Sequence, residues 1–272
     1  MTVREALAAA AAELGRVSGT PRLDAELLMA HALGVEREEL LLSRLGEPAP
    51  PAVDALVARR LAHEPVAYIT GRRAFWTIEL AVGPAVLIPR PDSETLIEAA
   101  VDHFGAGAPR RVLDLGTGSG ALLLAALDQW PDARGLGVDT SAQALAAAAA
   151  NAERLGLASR AEFRLGDWAE GIDGAVDLIL CNPPYVEAGA ALPPEVARWE
   201  PAEALFAGPD GLDAYRRLAP AVAPLLAPSG GACFEIGAGQ AESAGSLFAA
   251  EGFRVAVRSD LSGRPRCLLL TR

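Results

Sequence analysis

Val112-Leu113-Asp114-Leu115-Gly116-Thr117-Gly118-Ser119-Gly120 is the stretch that decides the fold of this chain. Its mostly apolar first half predicts a buried strand, and its second half places a glycine at every other position. Glycines let the backbone N–H groups of such a loop approach a ligand closely, and a helix that begins there adds its own free N–H groups. The stretch therefore predicts a strand, a ligand-binding loop and a helix, which together open an α/β sheet.

Strands and helices alternate downstream of this loop. Apolar runs predict seven strands, at 112–115, 135–138, 161–165, 176–181, 232–236, 254–257 and 267–270. We expect a helix between each pair of the first six, including a long one over 142–155, and this alternation favours a mostly parallel, doubly wound sheet. Only residues 259–266 separate the last two strands, which is too short for a crossover helix, so those two should pair antiparallel.

The chain before the glycine loop divides into two further regions. Residues 1–64 carry apolar residues at helical spacing, which predicts a small helical domain. Residues 65–91 change to short apolar runs, at 68–70, 75–78 and 86–88, that glycine and proline interrupt. This pattern predicts a β-hairpin or an extended linker, and it leaves 92–272 for the α/β domain.

Composition limits the classes of partner. The 272 residues carry a net charge of −11, whereas proteins that hold nucleic acid through its phosphates usually show a basic stripe. No apolar run reaches the roughly 20 residues that a membrane span needs, and the N-terminus lacks a basic, cleavable leader. The three cysteines have no C-x-x-C spacing. We therefore expect a cytoplasmic protein with no metal site, no membrane association and no sequence-specific nucleic-acid partner.

Asn182-Pro183-Pro184-Tyr185 follows the predicted strand at 176–181. Neither proline can donate to a sheet ladder, and the residue before a proline is restricted to extended conformations. Asn182 Oδ1 and the Pro183 carbonyl can therefore accept the two N–H bonds of a planar –NH2 group, while the Tyr185 ring covers its flat face. The motif predicts a site for an amide or for an amino group on a ring, and by itself it does not choose between them.

The glycine loop leaves two ligands open. Residues 116–121 also satisfy the permissive dinucleotide fingerprint, with alanine at the last position. Against a dinucleotide, Asp114 immediately before the turn would repel a pyrophosphate, whereas it would attract the ammonium of an amino acid. The loop alone is consistent with a nicotinamide cofactor or with S-adenosylmethionine.

Acidic residues follow the next two predicted strands. Asp139 can accept both hydroxyls of a ribose, although it could instead cap the following helix. Asp167 offers a carboxylate for an exocyclic amine and Trp168 a ring against which an adenine can pack; the alternative is an ordinary loop with a core tryptophan. Because the carboxyl ends of parallel strands share one edge of a sheet, we expect these residues, the glycine loop and Asn182 to face one crevice.

These residues and several further blocks resemble the protein-(glutamine-N5) methyltransferases of the PrmC/HemK type, which modify peptide chain release factors. The resemblance covers nearly the whole chain, and its blocks lie at 23–28, 65–71, 88–94, 114–120, 182–185, 208–212 and 263–266. It implies a seven-stranded, Rossmann-like S-adenosylmethionine-dependent methyltransferase domain behind a helical domain that helps to recognise the release factor. It also implies that the substrate is the glutamine of the factor's Gly-Gly-Gln loop.

The resemblance assigns roles to individual residues. Asn182 and Pro183 are the candidate catalytic residues. The candidate cofactor-binding residues are Gly116, Thr117, Gly118, Ser119, Gly120, Asp139, Asp167, Trp168 and Asn182. The candidate substrate-binding residues are Asn182, Pro183, Pro184, Tyr185 and, as a ring that closes the pocket, Phe75. The expected partners are class I release factors, and the expected state is a monomer.

Two other functions remain open on the sequence. An adenine-N6 nucleic-acid methyltransferase would use the same Asn-Pro-Pro-Tyr motif, but it would be expected to bring a basic target-recognition region and base flipping. The net charge of −11 argues against it. A non-catalytic, cofactor-binding module of the translation machinery is the other alternative, against which the intact loop and motif argue.

Overall fold

The structure, a computed structural model, describes residues 1–272 and divides them into two compact units. The smaller unit comprises Met1–Arg72 together with Leu192–Trp199. The larger unit comprises Arg73–Ala191 and Glu200–Arg272. No helix in either unit has the length and apolar character to cross a membrane.

The smaller unit is helical. Its helices are α1 (Val3–Leu14), α2 (Pro21–Leu33), α3 (Arg37–Glu39), α4 (Ala52–Leu61) and α5 (Val66–Thr70), with a π-helical turn at Leu40–Arg44. Thr2 and Glu5 form a capping box that satisfies free N–H groups at the start of α1. Leu7, Leu28 and Met29 lie in a core from which solvent is excluded, so the helical spacing seen in the sequence reflects one buried face per helix.

A buried arginine ties a late segment of the chain into this unit. Arg60, 5% exposed, donates from Nε to Asp24 Oδ2 at 2.8 Å and from Nη2 to Glu195 Oε2 at 2.7 Å. Glu195 belongs to the short helix that follows the Asn-Pro-Pro-Tyr motif in the chain, Pro194–Trp199 (α9). Because removing one partner of a buried ion pair costs about 3–5 kcal/mol, this contact anchors α9 among the helices.

The hairpin is shorter than the sequence indicated. Its strands are β1 (Arg72–Phe75) and β2 (Ile78–Ala81), whereas residues 86–88 belong to no strand. Residues 68–70, which the sequence placed in the hairpin region, are helical and form the end of α5. The reason is local: the Pro65 carbonyl accepts from the N–H groups of Tyr68 at 2.9 Å and Ile69 at 3.0 Å, and this turn ends at Gly71, whose φ is +72°.

The larger unit contains the predicted seven-stranded sheet. Its strands are β3 (Arg111–Leu115), β4 (Arg134–Asp139), β5 (Ala161–Leu165), β6 (Val176–Cys181), β7 (Leu226–Glu235), β8 (Arg254–Ser259) and β9 (Pro265–Thr271). They lie in the order β5-β4-β3-β6-β7-β9-β8. The first five are parallel, and β9 pairs antiparallel with both β7 and β8, which confirms the mixed sheet and the antiparallel pairing of the last two strands.

Helices accompany most of the strands. They are α6 (Glu94–Phe104), α7 (Ala121–Gln129), α8 (Ala142–Arg154), α10 (Asp213–Val222) and α11 (Ala241–Ala250). Tyr215 of α10 and Phe248 of α11 are fully buried in one cluster with Ile179 of β6 and Phe234 of β7. Each such side chain contributes about 1.5–3 kcal/mol when it leaves water, so the strands that carry the site rest on a packed core.

The prediction of a helix between every pair of the first six strands is wrong at one place. Residues 166–175, between β5 and β6, form turns and bends without a helix. The sheet order explains this, because the chain must return from the edge strand β5 past β4 and β3 to β6. That path is about 14 Å at 4.8 Å per strand, and ten residues wound into a helix would span only about 15 Å, leaving nothing for the two turns.

Candidate active site

The carboxyl ends of three neighbouring strands open on one cavity. Leu115 of β3 is in register with Val138 of β4 and with Cys181 of β6, so the loops that follow these residues emerge side by side. The space inside the cavity and its mouth amounts to about 1030 Å³, part of which is open solvent. Its wall includes Phe75, Ser93, Gly116, Thr117, Gly118, Ser119, Asp139, Ser141, Gly166, Trp168, Asn182 and Pro184.

The glycine loop is folded by its own N–H groups. Those of Gly116 and Thr117 both donate to the Val138 carbonyl, at 2.8 and 3.0 Å, and that of Gly120 donates to the Thr117 carbonyl at 2.8 Å. The N–H of Gly118 donates to Asp139 Oδ2 at 2.9 Å. Four of the N–H groups that a pyrophosphate would need are therefore occupied, and the loop is not an anion cradle.

Backbone conformation requires glycine at two positions of this loop, and at one of them space does as well. Gly116 has φ of +73°, and a Cβ there would stand 3.3 Å from Cζ3 of Trp168. Gly118 has φ of +54°, and a Cβ there would meet nothing within 4 Å. Because L-residues with side chains rarely adopt such φ values, the loop takes this path only with glycine at both positions.

Asp114 lies beneath the loop and is absent from the cavity wall. It is 1% exposed, and its Oδ2 accepts from the Thr117 hydroxyl at 2.6 Å and from the Leu123 N–H at 3.3 Å. Its Oδ1 is buried without a hydrogen-bond partner. Burial raises the pKa of Asp114 to about 7, against the effect of the two donors. Asp114 is therefore placed to attract a ligand ammonium from beneath the loop and not as part of the cavity wall.

Asp139 does line the cavity, and it also holds the turn. Its Oδ1 accepts from the Ser141 N–H at 2.9 Å, in addition to the bond from Gly118. A carboxylate has about four acceptor positions, so two remain for a ligand's hydroxyls. The helix cap is Ser141, whose Oγ accepts from the Ala144 N–H at 3.2 Å; the alternative in which Asp139 caps α8 is wrong.

Trp168 and Asp167 point to different places. Trp168 has φ of +50°, a conformation that costs a bulky residue about 1–3 kcal/mol, and its indole lies over Gly116 in the cavity wall. Asp167 is not in that wall: its Oδ2 accepts from Arg217 Nη2 at 2.6 Å, and its side chain is 40% exposed. Trp168 is thus part of the cavity wall, whereas Asp167 lies outside it.

Two acceptors of the Asn-Pro-Pro-Tyr motif have no donor. Asn182 lies in the cavity wall and donates from Nδ2 to Ser93 Oγ at 3.2 Å, while its Oδ1 receives no hydrogen bond from the protein. The Pro183 ring is buried, and its carbonyl accepts from no backbone or side-chain donor. Both oxygens are therefore free to accept N–H groups of a ligand, although only Asn182, and not Pro183, is part of the cavity wall.

Tyr185 is fixed from behind. Its hydroxyl donates to Glu235 Oε1 at 3.1 Å, and its carbonyl accepts from Gln240 Nε2 at 3.1 Å. Burial and the nearby Glu235 carboxylate raise the pKa of its hydroxyl, which therefore stays protonated. Its ring is not part of the cavity wall, whereas Pro184 and Phe75 are.

Sequence reasoning missed Ser93 and Glu235. Ser93 is 3% exposed, lies in the cavity wall and donates its hydroxyl proton to Glu235 Oε2. Glu235 is 1% exposed and ends β7. The available signal was a lone carboxylate at the end of an apolar strand, because glutamate is almost never fully buried unless it is paired.

Comparison with known proteins places this site in a family. Residues 5–71 match the PrmC N-terminal domain, and residues 92–198 match the methyltransferase small domain. A release factor glutamine methyltransferase of Rhodospirillum rubrum is 48% identical over 258 residues, which span 93% of this chain and 79% of that protein. The chain belongs to the release factor glutamine methyltransferase family.

A further member and a solved structure agree with this placement. The family member of Cereibacter sphaeroides is 46% identical over 250 residues, 89% of this chain and 88% of its own length. A methyltransferase of Pyrococcus furiosus has a TM-score of 0.54 at 17% identity, over 78% of this chain and 95% of that one. The predicted fold class and the family resemblance are confirmed, and the family uses S-adenosyl-L-methionine as its methyl donor.

Proposed function

We propose that this chain methylates the side-chain amide nitrogen, N5, of the glutamine in the Gly-Gly-Gln motif of class I peptide chain release factors. The methyl donor is S-adenosyl-L-methionine, and the products are N5-methylglutamine and S-adenosyl-L-homocysteine. The observation that carries the proposal is that Asn182 Oδ1 and the Pro183 carbonyl have no donors in the protein, with Asn182 in the cavity wall and Pro183 next to it in the chain. Family membership supports the choice of a release factor glutamine as the substrate.

The cavity residues fit the cofactor. S-adenosyl-L-methionine, when bound, supplies a methyl group that its sulfonium charge already activates. Asp139 has acceptor positions left for the ribose hydroxyls, and the Trp168 indole offers a flat surface for the adenine. The occupied N–H groups of the glycine loop disfavour a pyrophosphate, while the unpaired Oδ1 of Asp114 below favours a positively charged ligand. Gly118 lines the cavity without a side chain, and the space beside it is open for the amino-acid part.

Asn182 and Pro183 act on the substrate amide. An amide nitrogen is a poor nucleophile because its lone pair is delocalised into the carbonyl. When Asn182 Oδ1 and the Pro183 carbonyl each accept one N–H bond, the nitrogen is held with its lone pair toward the methyl donor. Alignment of this kind is worth up to about 7–11 kcal/mol, and preset polar groups add an electrostatic contribution. Pro184 and Phe75, which are in the cavity wall, bound the space around the amide, and Tyr185 supports the motif from behind.

The proton balance needs no base in the site. One amide proton must leave after the new N–C bond forms, because the product nitrogen carries one proton and one methyl group. Neither the Asn182 amide oxygen nor a backbone carbonyl retains a proton at neutral pH, so the proton passes to water. The two acceptors thus orient the amide and stabilise the charge that develops on nitrogen.

The three regions of the chain have separate roles in this proposal. Residues 1–64 recognise the release factor, residues 65–91 link, and residues 92–272 bind the cofactor and carry out transfer. The acidic net charge of −11 agrees with a protein substrate. We propose that the protein works as a monomer in the cytoplasm, where translation termination takes place.

A filter assay with labelled S-adenosyl-L-methionine tests the proposal. Purified class I release factor, tRNA and DNA are offered separately to the full chain. Label on the release factor alone is expected. Label on DNA or tRNA would instead indicate a nucleic-acid amino methyltransferase, and label on none of the three, with cofactor still bound, would indicate a binding module.

A further inference from the structure

A buried carboxylate lies directly behind the Asn-Pro-Pro-Tyr motif and has no place in the reaction as proposed. Both oxygens of Glu235 are occupied: Oε2 accepts the Ser93 hydroxyl proton, and Oε1 accepts the Tyr185 hydroxyl proton at 3.1 Å. Ser93 Oγ in turn lies 3.2 Å from Nδ2 of Asn182. A chain of hydrogen bonds therefore connects Glu235, through Ser93, to the side-chain amide of Asn182.

The direction of these hydrogen bonds determines which way the Asn182 amide faces. The two ends of an asparagine amide have nearly the same shape, so packing alone does not distinguish Oδ1 from Nδ2. A serine hydroxyl has one proton to donate. Because Ser93 gives that proton to Glu235, its Oγ can only accept from Asn182, and the group that faces it must be Nδ2. Oδ1 is then left toward the cavity.

We propose that Glu235 is a positioning residue that acts through Ser93 to hold the Asn182 amide with its oxygen toward the substrate, and through the Tyr185 hydroxyl to anchor the other end of the motif. This inference rests on the proposed function, since it concerns the acceptor that binds the glutamine amide. It assigns a role to Glu235, which is outside the cavity wall, and to Ser93, which is in that wall and accepts a hydrogen bond from Asn182.

Glu235 is the acceptor in this arrangement because of the groups that face it. The Ser93 and Tyr185 hydroxyls donate to its two oxygens. Burial raises the pKa of Glu235, and the two hydroxyls and the Arg266 guanidinium offset only part of that rise. Arg266 is 9% exposed and is held by Asp92 at 3.1 Å. With a hydroxyl donor on each oxygen, Glu235 takes the Ser93 proton and so directs it away from Asn182.

Glu235→Gln puts a hydrogen-bond donor in place of an acceptor while it preserves the shape of the side chain. A glutamine can present its own N–H2 to Ser93, so Ser93 can donate to Asn182 Oδ1 and turn Nδ2 toward the substrate. We expect kcat on release factor to fall by about 100-fold, the size of the loss when one preset polar group is removed from a reacting site. The Kd for S-adenosyl-L-methionine and the Tm should change little, because the cofactor-facing residues and the packing are kept. Glu251→Gln, which neutralises an exposed carboxylate, is the matched control and should retain wild-type kcat.

Ser93→Thr and Ser93→Val form a second, matched pair. The two side chains have the same shape, and only threonine keeps the hydroxyl, so any cost of the extra methyl is common to both. We expect kcat of the threonine variant to exceed that of the valine variant by about tenfold or more. In NMR spectra, the Asn182 side-chain N–H2 signals should exchange with water slowly in wild type and faster in the valine and Glu235→Gln variants.

The outcomes separate the inference from the function on which it rests. Methylation of the release factor by wild type, with the same kcat for Glu235→Gln or with equal kcat for the two Ser93 variants, would overturn the positioning role. If Glu235→Gln does not fold, the Ser93 pair decides alone. A wild-type chain that binds cofactor but never labels release factor contradicts the proposed function instead, and the exchange rates of the Asn182 N–H2 then still report the hydrogen-bond chain.

Discussion

Two buried carboxylates, Glu235 and Asp114, lie beside the site, and they differ in how many of their oxygens accept a hydrogen bond from the protein. Glu235, behind the substrate motif, has a hydroxyl donor on each oxygen. Asp114, beneath the cofactor loop, has both of its donors on Oδ2 and none on Oδ1. The protein itself thus satisfies both oxygens of Glu235, whereas Asp114 keeps an uncompensated buried acceptor oxygen that a positively charged ligand would stabilise. Substitutions on the two sides should therefore change different measured quantities.

The largest effect is expected from Asn182→Ala on the substrate side. Removing Oδ1 deletes one of the two acceptors for the glutamine amide, so kcat should fall by about 1,000-fold or more. The Kd for S-adenosyl-L-methionine should rise only a few-fold, because Asp139, Trp168 and the glycine loop remain. Single-turnover transfer to release factor and equilibrium dialysis of the cofactor measure the two quantities. If the Kd for S-adenosyl-L-methionine rises by as large a factor as kcat falls, the claim that substrate and cofactor are bound by different residues is contradicted.

The next effect is on the free energy of unfolding, which should depend on pH because of Asp114 beneath the cofactor loop. The pKa of Asp114 is raised by burial to about 7 from its ordinary value of 3.8, so the folded state binds the proton more tightly than the unfolded state. The free energy of unfolding should accordingly decrease as pH rises from about 4 to 7, by up to about 4 kcal/mol, and stay level above. Asp114→Asn should remove most of this decrease in urea denaturation at several pH values. The control Asp102→Asn, on the exposed side of α6, should show the same decrease in the free energy of unfolding with pH as wild type. If Asp114→Asn and wild type have equal pH profiles, the account is contradicted.

A smaller effect, on the Kd for the cofactor, is expected to distinguish Asp139, the last residue of β4, from Asp167, which follows β5. Asp139 lines the cavity and Asp167 pairs with Arg217 outside it. Hydrogen bonds to a charged group contribute about 1.5–3 kcal/mol each, so Asp139→Ala should raise the Kd for the cofactor by about 10- to 100-fold. Asp167→Ala should raise it much less. Isothermal titration of the cofactor into both variants measures the two Kd values. Equal losses of affinity would indicate that Asp167 also binds the cofactor.

Local patterns were enough to predict the sheet. The strands at 161–165 and 176–181 have the predicted bounds. The connection between them was not predictable in the same way, since only the sheet order shows that it must run past two strands. Residues 68–70 became helical through a turn at Pro65 that outweighs their β-branched composition.

The site was predictable only in part for a similar reason. Gly116, Asp139, Trp168 and Asn182 could be found because each follows a strand end, and strand ends converge. The hydrogen bonds among Ser93, Asn182 and Glu235 connect residues 89 and 142 positions apart in the chain. No local pattern encodes such contacts, so the positioning role of Glu235 emerged only from the three-dimensional arrangement.

The most direct test of the central claim is tandem mass spectrometry of a class I release factor after incubation with the full chain and S-adenosyl-L-methionine. We expect a single added methyl group, located on the side-chain nitrogen of the glutamine in the Gly-Gly-Gln motif, and its absence when Asn182→Ala replaces the wild type. A methyl group at any other residue, or equal modification by the variant, would contradict the proposed use of the Asn182 and Pro183 acceptors.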